Sequence, residues 1–421
     1  MSDGLIFIQI AAYRDAELLP TLRDCVAQAS DPRRLRFGIC WQRGDEETLG
    51  EFAQDARVRV FELPAERSRG ACWARQQTQA LFRGEEYTLQ LDSHHRFVHG
   101  WDEILVEMLE GLRGDGCVKP LLTSYAPIYN PANDPGGRTQ EPYRLRFNGF
   151  SPDGPFAVVP ETMDEYRSRT EPEPARFFSA HFAFTVGEFC SQVPYDPQLY
   201  FFGEEPSMAM RSFSHGYDLF HPHRVVLWHH YGRESSPKHW ADHRRWYFRN
   251  ELSMQRFRRL VEEGQCGISG DQSSLSPYGL GASRGLHAYE LYAGVNFELR
   301  GATRHAMRAL PPPEPQPPVS REAWRSLVLL PYEVVVPLEK AELAGSAEQY
   351  DFVFVGAHST QGEELVRYDL RDDELQQALE RGCHRLSFLA ASQPVSWTVW
   401  PYLRNGGWGV KSTRPIVAPA G

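Results

Sequence analysis

Apolar residues run through Leu5-Ile6-Phe7-Ile8-Gln9-Ile10, after which the pattern widens to Leu18, Leu22, Cys25, Val26 and Ala29. A short continuous apolar run fits a buried strand, whereas three-to-four-residue spacing lays one apolar stripe along a helix that must rest on a sheet. Asp15 stands between them as a cap for that helix. Residues 35–41 and 58–61 repeat the strand pattern and residues 71–82 the helical one. The strand Tyr87-Thr88-Leu89-Gln90-Leu91 then stops at Asp92-Ser93-His94. Strands alternating with helices predict an α/β domain with a mainly parallel central sheet, and such sheets bind ligands at the carboxyl ends of their strands. Asp92 stands at such an end.

Further along, residues 101–112 read as a helix and residues 117–122 as a strand that Pro120 shortens or confines to an edge. Residues 125–174 are dense in Pro, Gly, Asn and Asp, and a loop of that length inside a compact domain is expected to be functional, as a lid over a substrate site, or disordered. Order returns at residues 176–184 and 224–228. A basic amphipathic helix is expected over residues 239–261, carrying Trp240, Trp246, Tyr247, Leu252 and Phe257 among arginines. Pro311-Pro312-Pro313-Glu314-Pro315-Gln316-Pro317-Pro318 is a semi-rigid spacer. Short β-like runs at residues 334–336, 350–355, 385–389 and 395–400 follow it and predict a small all-β sandwich. The expected organisation is therefore a large α/β domain over 1–305, a Pro-rich linker over 306–322 and a small β-rich domain over 323–421.

Composition narrows the function classes. In 421 residues, 41% are hydrophobic and 24% charged, which suits a soluble globular protein. A formal net charge of −10 argues against bulk binding to nucleic acid or anionic lipid. The seven cysteines are odd in number, scattered and never spaced as Cys-x-x-Cys, as expected of reduced thiols. No run approaches the ~18 apolar residues needed to span a bilayer, and residues 1–10 lack the charged and long apolar regions of a signal peptide. The expected location is the cytoplasm, without membrane insertion.

Asp92 and His94, one residue apart just past a buried strand, can turn toward one point, as groups that hold a divalent cation beside a nucleotide diphosphate do. The blander reading is an acidic strand end followed by a solvated basic turn. Glu204 and Glu205 could serve as base, nucleophile or sugar-hydroxyl ligand, and they also suit a first helical turn. His239 and His243 have the spacing of a helical zinc pair, but Trp240 stands where a zinc protease needs Glu, so they are read as polar helix-face residues. Arg244, Arg245, Arg249, Arg256, Arg258 and Arg259 could mark nucleic acid, a membrane or an acidic acceptor, although a salt-bridged solvent face is the commoner meaning.

Five motifs, read together, carry a resemblance: Tyr13-Arg14-Asp15, Gly38-Ile39-Cys40-Trp41-Gln42, Arg69-Gly70-Ala71 with Trp73-Ala74-Arg75, Gln90-Leu91-Asp92-Ser93-His94-His95-Arg96-Phe97, and Trp101-Asp102. In order and spacing they resemble the cytoplasmic polypeptide α-N-acetylglucosaminyltransferases, which use UDP-GlcNAc and modify hydroxyproline. A second, fainter similarity, to the mucin-type polypeptide GalNAc transferases, runs through Tyr195-Asp196, Phe202-Gly203-Glu204-Glu205, Arg211, His215-Gly216, Pro222 and a strand ending at His229-His230 with Arg233 nearby. The resemblance implies a nucleotide-diphospho-sugar transferase (GT-A-like) fold, a UDP-sugar donor, Mn2+ or Mg2+, and retention at the anomeric carbon.

Carried onto this chain, it implies metal ligands at Asp92, His94 and one of His229 and His230. Neighbours in a strand point to opposite faces, so one of that pair is expected to bind, and the sequence leaves open which. Donor binding falls to Tyr13, Arg14, Asp15, Arg69, Arg75, Asp92, Ser93 and Arg233, with Arg14, Arg75 and Arg233 expected on the diphosphate and Tyr13-Arg14-Asp15 on uridine and ribose. Glu204 and Glu205 are the candidate catalytic pair. The expected function is metal-dependent retaining transfer of a sugar, GlcNAc foremost, from UDP to a hydroxyl of a protein. The rivals are a transferase of the same fold acting on a glycan or small molecule, and a noncatalytic sugar-binding or adaptor protein.

Overall fold

The computed structural model describes residues 4–233, 236–338, 343 and 347–416. The chain divides into two compact units: residues up to Phe297 together with His305–Pro317, and Glu298–Arg304 together with the residues from Pro318 onward.

In the first unit the strands are β1 (Ile6–Tyr13), β2 (Leu35–Arg43), β3 (Val58–Pro64), β4 (Tyr87–Leu91), β5 (His95–Phe97), β6 (Pro120–Thr123), β7 (Tyr143–Phe150), β8 (Phe156–Thr162), β9 (Glu173–Pro174), β10 (Phe182–Val186), β11 (Asp218–His221) and β12 (Leu227–His229). The helices are α1 (Leu18–Gln28), α2 (Ala71–Gln79), α3 (Trp101–Gly114), α4 (Phe189–Gln192), α5 (Glu204–Ser214), α6 (His239–Asp242), α7 (Trp246–Gln265) and α8 (Leu286–Ala293). Eight strands form one sheet in the order β3-β2-β1-β4-β10-β6-β11-β9. Pairing is parallel from β3 through β4, and β10 enters antiparallel to both β4 and β6. The mixed α/β fold with a mainly parallel sheet is the one the sequence predicts.

The hydrophobic pattern explains this layering. Ile6, Ile8, Ile10, Leu89 and Leu91 are fully buried, as central strands covered on both faces require. Leu18, Leu22 and Cys25 of α1 and Leu105, Leu109 and Trp101 of α3 belong to the same core. Each such side chain contributes roughly 1.5–3 kcal/mol on burial. Because Ile6 is in register with both Leu35 and Tyr87, the carboxyl ends of β1, β2 and β4 open on one edge.

Several expectations change. Pro120 sits in a central strand, because it is the first residue of β6 and its missing N–H is tolerated there. The stretch expected to be a long lid loop contains the antiparallel hairpin β7–β8, whose alternate residues Leu145, Phe147, Phe156 and Val158 are buried. The helix expected over 239–261 is broken into α6 and α7, with His243 leaving helical backbone at φ −108° and ψ 84°. Residues 305–317 belong to the first unit, where Arg176 donates two hydrogen bonds to the carbonyl of Leu310.

The second unit is β-rich. Val328–Pro337 pairs antiparallel with Cys383–Ala390 and, at its start, with Gly301–Thr303. A second sheet runs Glu364–Leu370, Tyr350–His358, Ser396–Leu403, Ser412–Pro415, all antiparallel. Val334, Val336, Val353, Val355, Trp397 and Val399 join both sheets in one core. A helix, Asp372–Arg381, adds Leu375 and Ala378 to that core, so the sandwich is not wholly β as the sequence reading expects.

Candidate active site

The strand β4 ends on Leu91, and the next residue, Asp92, leaves the sheet at the open edge. Three residues later β5 begins, and β5 pairs antiparallel with β12 so that His229 stands opposite His95. His230 N–H donates to the His94 carbonyl at 3.1 Å, which closes this small ribbon. The pairing brings His229, 137 residues away in sequence, to Asp92: its Nε2 lies 3.4 Å from Asp92 Oδ2, and His94 Nε2 lies 3.7 Å from the same oxygen. One atom each of Asp92, His94 and His229 falls within 4.8 Å of the others.

These three groups suit a divalent cation. His94 Nδ1 is 2.8 Å from Asp15 Oδ2, a carboxylate that can only accept, so the proton belongs on Nδ1 and the Nε2 lone pair faces Asp92. Burial lowers His229 to about 3, against the hydrogen bond to Asp92, so this imidazole is neutral, as a ligand must be. Burial works to raise Asp92, but Arg75 and then the hydrogen bond from His229 hold it well below the usual carboxylate range. An anionic carboxylate with two imidazoles is a donor set for Mn2+ or Mg2+, the oxygen-preferring Mg2+ being the less well matched. His230 is not part of this set: its ring packs beside Tyr129, 5.8 Å between ring centres.

These three groups open on a cavity of about 600 Å3. Of the residues nominated by sequence, Tyr13, Arg75, Asp92, Ser93, His94, Glu204, Glu205, His229, His230 and Arg233 line it, whereas Arg14, Asp15 and Arg69 do not. Asp15 lies behind the wall, 8% exposed, accepting from Ser93 Oγ, from His94 and, at 3.1 Å, from Arg233. Arg14, at φ 44°, turns outward and pairs with Asp242 at 2.7 Å, sharing that carboxylate with the Tyr13 hydroxyl. Arg69 is exposed and lies over the Trp73 ring.

Arg75 departs most from expectation. It is buried, with Nη2 2.6 Å from Asp92 Oδ1, Nε 2.7 Å from Glu204 Oε1 and Nη1 donating to the Leu91 carbonyl at 3.3 Å. A buried guanidinium needs such partners to offset its desolvation, and this one pairs with both Asp92 and Glu204. Arg233 is the cation closest to the ligands on the open side, its Nη1 3.4 Å from His94 Nε2.

Gly203 sets the position of both glutamates. At φ 87° it makes a left-handed turn into α5, and a Cβ there would lie 3.2 Å from the Phe257 ring. Glu204 then faces Arg75, while Glu205 accepts from the Tyr125 hydroxyl at 2.8 Å and from the Ala180 N–H at 3.0 Å. Burial pushes Glu205 up to about 7 against these two hydrogen bonds.

The sequence reading misses Tyr125, His181, Tyr200 and Tyr231, all of which line the cavity. His181 stacks on His229 with ring centres 4.3 Å apart, and its Nε2 accepts from the Ala126 N–H at 3.0 Å, which keeps that nitrogen from metal. It precedes β10, and only because β10 runs antiparallel does the start of that strand lie beside the end of β4. A strand's direction is not written in its own sequence.

A mainly parallel sheet that presents carboxylate and imidazole beside a deep cavity at its carboxyl edge is the GT-A-like arrangement of nucleotide-sugar transferases. The sequence matches the family described as Glycosyltransferase (GlcNAc) over residues 5–55 and 48–299, and the chain belongs to that family. No curated protein matches it. Among solved structures it is similar to GalNAc-T7 with UDP, GalNAc and Mn2+, at a TM-score of 0.43 and 17% identity, over 65% of this chain and 52% of that one. It is also similar to S. aureus TarS 1–349, at a TM-score of 0.38 and 11% identity, over 63% of this chain and 93% of that one. TarS 1–349 in complex with UDP-GlcNAc gives 0.37 and 12%, over 58% and 66%. The chain thus spans about half the length of the GalNAc-T7 structure.

Proposed function

We propose that the protein transfers N-acetylglucosamine from UDP-GlcNAc to a hydroxyl on a polypeptide, with retention, using a divalent cation held by Asp92, His94 and His229. The observation that carries this reading is the convergence of those three groups at the mouth of a nucleotide-sugar-sized cavity in a chain of the GlcNAc glycosyltransferase family. When bound, Mn2+ supplies positive charge to the diphosphate as it departs.

The chain's own residues do the rest. Asp15 fixes the tautomer of His94, and Arg75 fixes Asp92 and Glu204. Arg233 lies on the open side of the ligands, where a guanidinium pairs with diphosphate oxygens. Tyr13, Tyr200 and His239 form an aromatic wall of the cavity, with Tyr13 and His239 rings 5.1 Å apart, which suits a base. Both glutamates are engaged by protein donors, Glu204 by Arg75 and Glu205 by Tyr125 and Ala180. Neither stands free as a nucleophile, which supports front-face attack with the glutamates holding sugar and acceptor.

A screen of UDP-sugars with Mn2+, scoring UDP release by mass spectrometry, tests this. UDP-GlcNAc is expected to be turned over, and Asp92→Ala to abolish turnover. If no UDP-sugar is bound or cleaved and Asp92→Ala behaves as wild type, the reading fails.

A further inference from the structure

The arginine-rich stretch over α6 and α7 is not the salt-bridged face that its sequence most simply suggests. Arg256 and Arg259 are paired, with Asp196 and Glu263. Arg244, Arg245 and Arg249 are exposed and make no ion pair or side-chain hydrogen bond among the described residues. Of the nearest carboxylates, Asp242 pairs with Arg14, and Glu251 makes no ion pair with any of the three arginines among the described residues. In a chain of net charge −10, three unpaired guanidinium groups within six residues form a local inversion of sign.

These arginines adjoin an apolar lip. Phe201, Phe202 and Trp240 line the cavity and are 47%, 60% and 44% exposed. Helix α7 is seated on the segment that carries them: Trp246 stacks on Tyr200, and Ser253 Oγ accepts from the Tyr200 N–H. The exposed side chains Tyr247, Phe248 and Leu252 extend this apolar surface along the helix. Arg249 is near enough for its charge to act at the rim. Burial raises Tyr200 to about 12 with Arg249 opposing, and burial and then His243 lower His239 to about 4 with Arg249 contributing.

We infer that this aromatic and basic surface docks an extended acidic segment of the acceptor polypeptide, an inference that rests on the transferase reading above. An acceptor hydroxyl can reach the cavity only across its mouth, so the chain carrying it lies over the lip. The lip rings meet edge to face, at 85° for Phe201 and Phe202 and 66° for Phe201 and Trp240. They form corners that take apolar side chains, not the flat platform on which a sugar ring stacks. Beside them, unpaired arginines select carboxylates and repel basic sequence.

The test uses the full chain and two labelled extended peptides with a central threonine, one flanked by glutamate and leucine, the other with every glutamate replaced by glutamine. Binding is read by fluorescence anisotropy, and UDP release from UDP-GlcNAc without acceptor is read separately. The triple variant Arg244→Glu, Arg245→Glu, Arg249→Glu is expected to weaken binding of the glutamate peptide about tenfold or more, while the glutamine peptide changes less than about twofold. UDP release is expected to be unchanged, since these side chains lie outside the cavity. The milder triple change to glutamine is expected to fall between, which guards against misfolding of the reversed variant.

Equal binding of both peptides by the wild type, or insensitivity of the glutamate peptide to charge reversal, overturns the inference. So does adsorption to phosphatidylserine vesicles by the wild type, lost in the variant, without peptide discrimination. Absence of UDP release from both proteins counts against the transferase reading, and the peptide contrast still decides the docking surface.

Discussion

His94 Nδ1 and Asp15 Oδ2 lie 2.8 Å apart, both side chains 4% exposed, and this contact decides which nitrogen of His94 faces Asp92. Asp15 also turns the chain into α1, where its Oδ1 accepts from the Glu17 N–H. The carboxylate therefore ties the end of β1 to the residues just after β4. Asp15→Asn keeps the shape but weakens the hold on the imidazole and on Arg233. Mn2+ affinity measured by titration calorimetry is expected to fall roughly 10–100-fold, with the fold retained.

The two adjacent histidines give a sharper contrast. His229→Ala is expected to abolish Mn2+ binding and Mn2+-dependent UDP release, because it removes one of the three groups proposed to hold the ion. His230→Ala is expected to leave Mn2+ affinity within about twofold, since its ring packs beside Tyr129 and is not among the three converging groups. Equal effects of the two changes would show that the ligand set is not Asp92, His94 and His229.

Glu205 gives the folded protein a pH dependence of defined sign. Its ordinary value near 4.5 is raised to about 7 by burial, so between those values the folded state holds a proton that the unfolded chain has released. Its contribution to stability is full below about pH 4.5, falls as pH rises, and is lost above about pH 7. The span corresponds to about 3 kcal/mol, an upper figure for a partly exposed group. Glu205→Gln keeps a neutral side chain at every pH. Its melting temperature relative to wild type is therefore expected to rise between pH 5 and pH 7.5, read by scanning fluorimetry.

Core and surface leucines should separate by stability. Leu89 is fully buried, in register with Ile8 on one side and Phe184 on the other. Leu89→Ala is expected to cost roughly 2–5 kcal/mol in urea unfolding. Leu252, 62% exposed on α7, is expected to stay within about 0.5 kcal/mol on the same change.

Much of the first unit is legible in the chain itself. The buried strands β1, β2 and β4 appear as apolar runs, α1 and α3 as apolar stripes, and Asp92 as the abrupt end of a strand, because burial on both faces or on one face leaves a local periodic signature. The hairpin β7–β8 is hidden by the turn residues around it, although its alternation is present once the pairing is known. The break between α6 and α7 has no Pro or Gly to announce it.

By itself the sequence determined the α/β class, the strand end at Asp92 and the chemical types available for a metal site. Only the tertiary structure decided that His229 rather than His230 meets Asp92, that Arg75 pairs with Asp92 and Glu204 and Asp15 with His94, and that His181 joins the wall. Periodicity reports what a residue's own segment buries, whereas these outcomes depend on which distant strand pairs with which, in what direction and register. Antiparallel pairing of β12 with β5, and of β10 with β4, supplies that information, and no local pattern contains it.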